Sequence, residues 1–164
     1  MSVQYLPSPI GLLELRADQR KLRALSFAET AGESSPNRIT QECAAQLEEY
    51  FTGKRKEFSV AVLPHGTPFQ QAVWSAMAQI PYGRVVTYGQ LAAAIGRPTA
   101  CRAVANAVGK NPLPILLPCH RVVAANGLGG FSAGTDRKRW LLRLEGVETT
   151  ENSALSEKFF FTFP

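Results

Sequence analysis

The chain has 164 residues, 45% of them hydrophobic and 19% charged, and a net charge of +5. That size fits one sizeable globular domain or two small ones, and no run approaches the about 18 to 20 consecutive apolar residues of a membrane span. Met1-Ser2-Val3-Gln4-Tyr5 lacks a basic segment leading into an apolar core, so no signal peptide is read, and three cysteines argue against a disulfide framework and for a reducing compartment, by default the cytoplasm.

Residues 1–64 read as strands followed by a helix. Gly11–Ala17 and Lys21–Phe27 flank a polar Asp18-Gln19-Arg20 turn, as in a hairpin. A Gly/Ser/Pro-rich loop follows from Ala31 to Asn37. Ile39, Cys43, Leu47, Tyr50 and Phe51 then share one helical face, with Gly53 as its stop and Cys43 as a buried apolar residue. Phe58–Leu63 reads as another strand, and Pro64–Pro68 as a linker, which divides the chain into domains 1–64 and 65–164. His65 beside it reads as structural.

The second part is mostly helical. Thr67-Pro68-Phe69-Gln70 has a capping-box pattern with proline at the first helical position, and Phe69, Val73, Met77 and Ile80 form its apolar stripe. Thr87-Tyr88-Gly89-Gln90 repeats the cap, and Gly96 stops that helix. A third helix spans roughly Thr99 to Val108, with Ala100, Val104, Ala107 and Val108 on one face. Two short helices joined by a tight glycine turn are a helix-turn-helix signal. Ala100, Ala103, Ala105 and Ala107 keep the second of them thin, with Arg102 and Asn106 as its long polar groups. Such a helix suits close approach in a minor groove, where readout is degenerate. Charge agrees: residues 1–64 carry eight Lys/Arg against eight Asp/Glu, whereas 65–147 carry nine against two, a footprint of a polyanionic partner.

Prolines 112, 114 and 118 exclude a helix before Cys119 and favour a stiff extended segment. Asn126–Gly134 is a loop that permits positive φ and close ligand approach. A last helix from Thr135-Asp136 carries Trp140, Leu141 and Leu144 on its apolar side and ends at Glu145-Gly146. The aromatic tail, Phe159–Phe163, has no assignable structure from sequence.

Cys119 adjoins one of only two histidines, His120, and then Arg121. A thiol is a strong nucleophile only as thiolate, and cationic or basic neighbours lower its pKa from about 8.5, so this run reads as a nucleophile with its base attached. Cys101, on the thin helix, reads as non-catalytic. No Cys/His spacing suits zinc and no Gly-rich phosphate loop is present, so no metal or cofactor is expected.

In combination, Tyr88-Gly89-Gln90-Leu91-Ala92, Cys101-Arg102-Ala103-Val104, the run Asn111 to Val122 containing Pro118-Cys119-His120-Arg121, Gly130-Phe131-Ser132, and Trp140-Leu141-Leu142 before Glu145 are specific. They resemble the O6-alkylguanine-DNA alkyltransferases (methylated-DNA–protein-cysteine methyltransferases), densely over Thr67–Val147 and loosely over 1–64. The resemblance implies an α+β protein: a small ribonuclease-H-like α/β domain, then a mostly helical domain with the helix-turn-helix and the reactive cysteine.

It further implies that Cys119 accepts the alkyl group, that His120 deprotonates it through a water, and that Glu145 orients His120. Tyr88 matches a tyrosine that helps rotate the phosphate and protonates the purine. Asn111 matches a residue bracing the cysteine loop. Arg102 matches a finger that fills the gap left by an extruded base, with Thr99, Ala103 and Asn106 on the same DNA-facing surface. Cys119 and Val122 backbone groups, Gly130, Phe131 and Ser132 correspond to the base pocket. Ala133 replaces a family glycine and Gly130 precedes Phe131, departures that bear on loop flexibility and tolerance of bulky groups. The implied partner is double-stranded DNA with alkylated bases, bound by a monomer, with cooperativity left open. A helix-turn-helix regulator would leave Pro118-Cys119-His120-Arg121 unexplained, a binding-only relative would lack the cysteine, and a cysteine hydrolase would need no basic groove-binding helix.

Overall fold

The computed structural model describes residues 1–149 and 155–164, as two compact units, Met1–His65 and Gly66–Pro164. The first unit is an antiparallel sheet of three strands in sequential order: β1 (Ser2–Ser8), β2 (Gly11–Ala17) and β3 (Leu22–Ala28). β2 alternates with period two, so Leu13, Leu15 and Ala17 are fully buried while Glu14 and Arg16 face outward. Asp18 makes the β2–β3 turn by accepting hydrogen bonds from the Arg20 and Lys21 amides, both at 2.7 Å. Helix α1 (Arg38–Phe51) covers the sheet with Ile39, Cys43, Leu47 and Tyr50. Its cap is Asn37, whose side chain accepts from the Thr40 amide at 2.9 Å.

Two expectations fail in this unit. β1 adds a strand where none was read; as an edge strand it accommodates Pro7. Phe58–Leu63 is not a strand. It makes one bridge, Leu22 with Val62, through Leu22 N–H to Ala61 O (2.8 Å) and Leu63 N–H to Leu22 O (2.9 Å), and Pro64 follows at once.

The second unit contains helices α2 (Pro68–Met77), α3 (Tyr88–Ala94), α4 (Cys101–Gly109) and α5 (Thr135–Leu144), with two-residue strands β4 (Val86–Thr87) and β5 (Val122–Val123). Thr67 and Thr87 both form complete capping boxes. α2 packs on α3 and α4, and Trp74 donates from Nε1 to Ala107 O at 2.9 Å. β4 and β5 pair in parallel, Val86 with Val122 and Thr87 with Val123, which sets the first residue of α3, Tyr88, beside the chain that leaves Cys119. The aromatic tail extends this ladder: Phe161 N–H donates to Val85 O and Val85 N–H to Phe159 O, both at 2.9 Å. Phe159 and Phe160 pack on a core of Val85, Val123, Leu128, Leu142 and Val147.

The segment before Cys119 is not extended. It turns tightly, with Leu117 N–H donating to Leu113 O at 2.8 Å, and Ile115 takes φ +75°, a strained conformation for a β-branched residue. Cys119–Arg121 then form one 3₁₀ turn. In α5 the buried face is Lys138, Leu141 and Leu142; Trp140 and Leu144, expected there, are only partly buried. Among the described residues no helix is long and apolar enough to cross a membrane, and no three His, Cys, Asp or Glu side chains are placed to hold a metal ion.

Candidate active site

A pocket of about 390 Å³ is lined by Tyr88, Ala105, Asn106, Val108, Gly109, Cys119, Gly130, Phe131 and Ser132. Four elements converge on it: the start of α3, the C-terminal half of α4, the Cys119 turn, and the loop before α5. This size is that of a small-molecule or nucleobase-like ligand site, with apolar walls and few polar groups. Ser132 Oγ donates to Gly109 O at 3.1 Å and ties the loop to the end of α4. Gly129, at φ +74°, lies against Tyr88 so closely that a Cβ would meet the ring at 3.0 Å, so glycine is required there.

Next to Cys119 in the chain begins a buried polar cluster. His120 Nε2 is 2.7 Å from Glu145 Oε2. Glu145 also accepts from Arg121 Nε (2.8 Å), Arg121 Nη2 (3.0 Å) and the Gly83 amide (3.0 Å). Arg121 Nη1 donates to Ile80 O at 2.7 Å. Burial opposes ionisation of Glu145, yet His120 and Arg121 together hold its carboxyl well below the usual range. Burial lowers the His120 pKa, with Glu145 pulling the other way. A neutral imidazole that donates from Nε2 to this carboxylate has its free lone pair on Nδ1, and Nδ1 is buried without a hydrogen-bond partner among the described residues.

Cys119 departs from expectation. Burial raises its pKa above the ordinary thiol value, against hydrogen bonding from Asn111 and the positive charge of Lys138, which lower it. Arg121, expected to assist as a cation, is instead committed to Glu145 and Ile80. The resting pair is therefore a neutral thiol and a neutral imidazole. Asn111 braces the turn: Nδ2 donates to Leu117 O at 2.7 Å and Oδ1 accepts from the Leu113 amide at 2.9 Å. Burial also raises the Tyr88 pKa, keeping its phenol a proton donor at neutral pH.

The expected residues fall in two places. Cys119, Tyr88, Gly130, Phe131, Ser132 and Asn106 share the pocket, and His120, Glu145 and Asn111 belong to the Cys119 turn or bond to it. Thr99, Arg102, Ala103 and Asn106 are exposed on or before α4, so Asn106 belongs to both surfaces. Val122 does not line the pocket; its carbonyl accepts from Lys138 Nζ at 2.6 Å. Cys101 and His65 are exposed, and Cys43 is buried, its thiol pushed by burial up to about 12. Sequence reasoning missed Lys138, although Lys138, Leu141, Leu142 and Glu145 repeat at helical spacing and all four are buried.

Comparison with known proteins agrees over most of the chain. Residues 1–64 match the family model "6-O-methylguanine DNA methyltransferase, ribonuclease-like domain", and residues 68–147 match "6-O-methylguanine DNA methyltransferase, DNA binding domain". A methylated-DNA–protein-cysteine methyltransferase of Methanosarcina acetivorans is 43% identical, over 85% of this chain and 94% of its own. The crystal structure of Mycobacterium tuberculosis OGT in complex with DNA superposes with a TM-score of 0.81 at 42% identity, covering 88% of this chain and 92% of that one. Schizosaccharomyces pombe Atl1, solved with damaged DNA containing O6-carboxymethylguanine, covers 60% of this chain and 98% of its own at 31% identity and a TM-score of 0.53. An α+β chain with a sheet unit followed by a helical unit, matched to these models and relatives over most of its length, belongs to the 6-O-methylguanine DNA methyltransferase family.

Proposed function

We propose that this protein repairs O6-alkylguanine, and O4-alkylthymine, in duplex DNA by moving the alkyl group irreversibly to Cys119. The observation that carries the reading is the placement of Cys119 on a base-sized pocket with His120, paired to Glu145, next to it in the chain. We assign DNA binding and alkyl acceptance to 65–164, a division supported by the DNA-binding-domain match over 68–147.

The reactive carbon hangs on guanine O6, stacked inside the duplex, so the base must leave the stack before sulfur can approach in line. Extrusion costs a few kcal/mol, less for a mispaired base. α4 binds the minor groove through Thr99, Ala103 and Asn106, and Arg102 fills the gap. The DNA complex of the similar Mycobacterium protein supports binding to DNA.

In the pocket, Cys119 backbone groups, Gly130, Phe131 and Ser132 hold the base. His120 Nδ1 takes the Cys119 proton through one water, and Glu145 stabilises the imidazolium that forms. The thiolate attacks the alkyl carbon; the S–C bond forms as the C–O6 bond breaks, and Tyr88 protonates the departing purine. A thioether on saturated carbon resists hydrolysis, so each chain acts once. The chain works without metal or cofactor, as a monomer, and three free thiols suit a reducing cytoplasm.

Intact-mass measurement after incubation with a duplex containing one O6-methylguanine tests the reading, with Cys119→Ala alongside. One methyl gained by the wild type and none by the variant is the expected result. Tight lesion binding without mass gain would leave a lesion-recognition protein instead.

A further inference from the structure

Lys138 is a fully buried lysine in the second unit, and nothing in the reaction just described uses it. Its Nζ donates to Val122 O at 2.6 Å and to Gly130 O at 3.0 Å. Val122 follows the Cys119 turn and Gly130 lies in the pocket loop, so one ammonium ties the turn to the loop. The same Nζ lies 5.9 Å from the Tyr88 ring centroid, and Tyr88 Oη makes a long contact of 3.4 Å to the same Gly130 carbonyl. Among the described residues no carboxylate lies within ion-pair distance of Nζ. A buried charge without a counter-ion is costly, and structures retain one where it meets a need.

We infer that Lys138 is a positioning residue for the transfer: it fixes the pocket loop against the Cys119 turn and serves as the counter-cation of the Cys119 thiolate. The inference rests on the alkyl-transfer reading above. Two further facts agree with it. The positive charge of Lys138 acts on Cys119 to favour the thiolate, and Cys119 in turn favours the charged lysine. Burial lowers the Lys138 pKa to about 8, still leaving it charged at neutral pH. The other ionisable groups facing this sulfur and ammonium are His120 and Tyr88, with Glu145 and Arg121 behind His120. The resting thiol is neutral, so Lys138 acts when the proton leaves: an incipient thiolate finds a cation already in place, with no reorganisation. Once sulfur is alkylated no thiolate can form, and Lys138 is left holding two carbonyls in a pocket that has done its work.

The test reads thiol acidity directly, without DNA. Full-length wild type, Lys138→Met and Lys138→Arg, each carrying Cys101→Ser, are labelled with iodoacetamide across pH, and labelling of the Cys119 peptide is followed by mass spectrometry. Lys138→Met is expected to raise the thiol pKa further and to slow Cys119 labelling about tenfold at neutral pH. Lys138→Arg keeps the charge and is expected to label within about threefold of wild type, yet to transfer alkyl groups more slowly, because a planar head cannot keep both carbonyl bonds. A Lys138→Met profile that superimposes on wild type overturns the inference, whatever happens to transfer. If Lys138→Met shows no cooperative thermal transition, Lys138→Arg decides: a labelling loss of tenfold or more in that folded, charged variant overturns it, and a preserved profile with slowed transfer supports it. Failure of the alkyl-transfer reading itself would appear separately, as no mass gain from the lesion by wild type with the labelling result unaffected.

Discussion

In the Met1–His65 unit the ion pairs Arg16–Glu14, Arg23–Asp18, Arg38–Glu42 and Arg55–Glu49 are exposed or partly exposed, and the interior is apolar apart from Thr40 and Gln46. Gln46 is satisfied there by the Ser59 amide (2.9 Å) and hydroxyl (2.6 Å). In the Gly66–Pro164 unit the order is reversed: His120, Arg121, Lys138 and Glu145 are all buried, while Asp136 and most of the other basic side chains face solvent. Surface pairs contribute little to stability and cost little, whereas buried charges are expensive unless fully bonded. The first unit is therefore built for stability. The second accepts a stability cost in order to hold charge beside the Cys119 pocket, where the proposed reaction moves a proton and an alkyl group.

Substitutions in each unit can break this contrast. Glu145→Ala should have the largest effect: it strands the Arg121 guanidinium and frees His120, costing about 3–5 kcal/mol in urea denaturation and abolishing most transfer. Leu13→Ala, at a fully buried sheet position, should cost about 2–5 kcal/mol yet leave transfer per folded molecule unchanged. Slowed transfer by folded Leu13→Ala would show that the units are not functionally separate.

Acid sharpens the contrast. His120 and Glu145 both have folded-state pKa values below their ordinary 6.5 and 4.5. On acidification the unfolded chain takes up these protons first, so their contribution is complete above pH 6.5, declines below it through His120, and declines further below 4.5 through Glu145. Urea midpoints should fall steadily over that window, and the fall should be smaller in a Glu145→Gln, His120→Phe double variant. A midpoint that rises on acidification would contradict the assignment.

Arg102→Ala should leave stability within about 0.5 kcal/mol, because the side chain is exposed, while slowing transfer from duplex DNA by about tenfold or more. Transfer from a free alkylated base should be unchanged, which separates groove binding from chemistry. Thr87→Ala, which removes the α3 cap, should cost only about 1 kcal/mol by urea denaturation.

The local signals in the sequence located most of the helices. Thr67 and Thr87 cap where their Gln partners predict, and Gly53, Gly96 and Gly146 take positive φ where a stop was read. What escaped depends on distant pairing. β1 carries Pro7 and weak alternation and is a strand only because β2 lies beside it. Phe58–Leu63 has strand composition, but only Leu22 offers it backbone partners. The proline-rich approach to Cys119 follows from proline only in excluding a helix; the Ile115 conformation is imposed by the surrounding fold. In the site, the adjacency of Cys119 and His120 is local and readable, and their distance from Glu145 in the chain was bridged by family resemblance. Lys138 was invisible to hydropathy, which assigned Trp140 and Leu144 to the buried face, because its burial rests on two carbonyls brought from elsewhere in the chain.

The most direct measurement is a titration of a fixed amount of protein with excess O6-methylguanine duplex, followed to completion, with repaired lesions counted against protein. The account predicts a plateau at one lesion per chain, with the methyl group on the Cys119 peptide. Continued repair beyond that plateau would contradict irreversible transfer to Cys119.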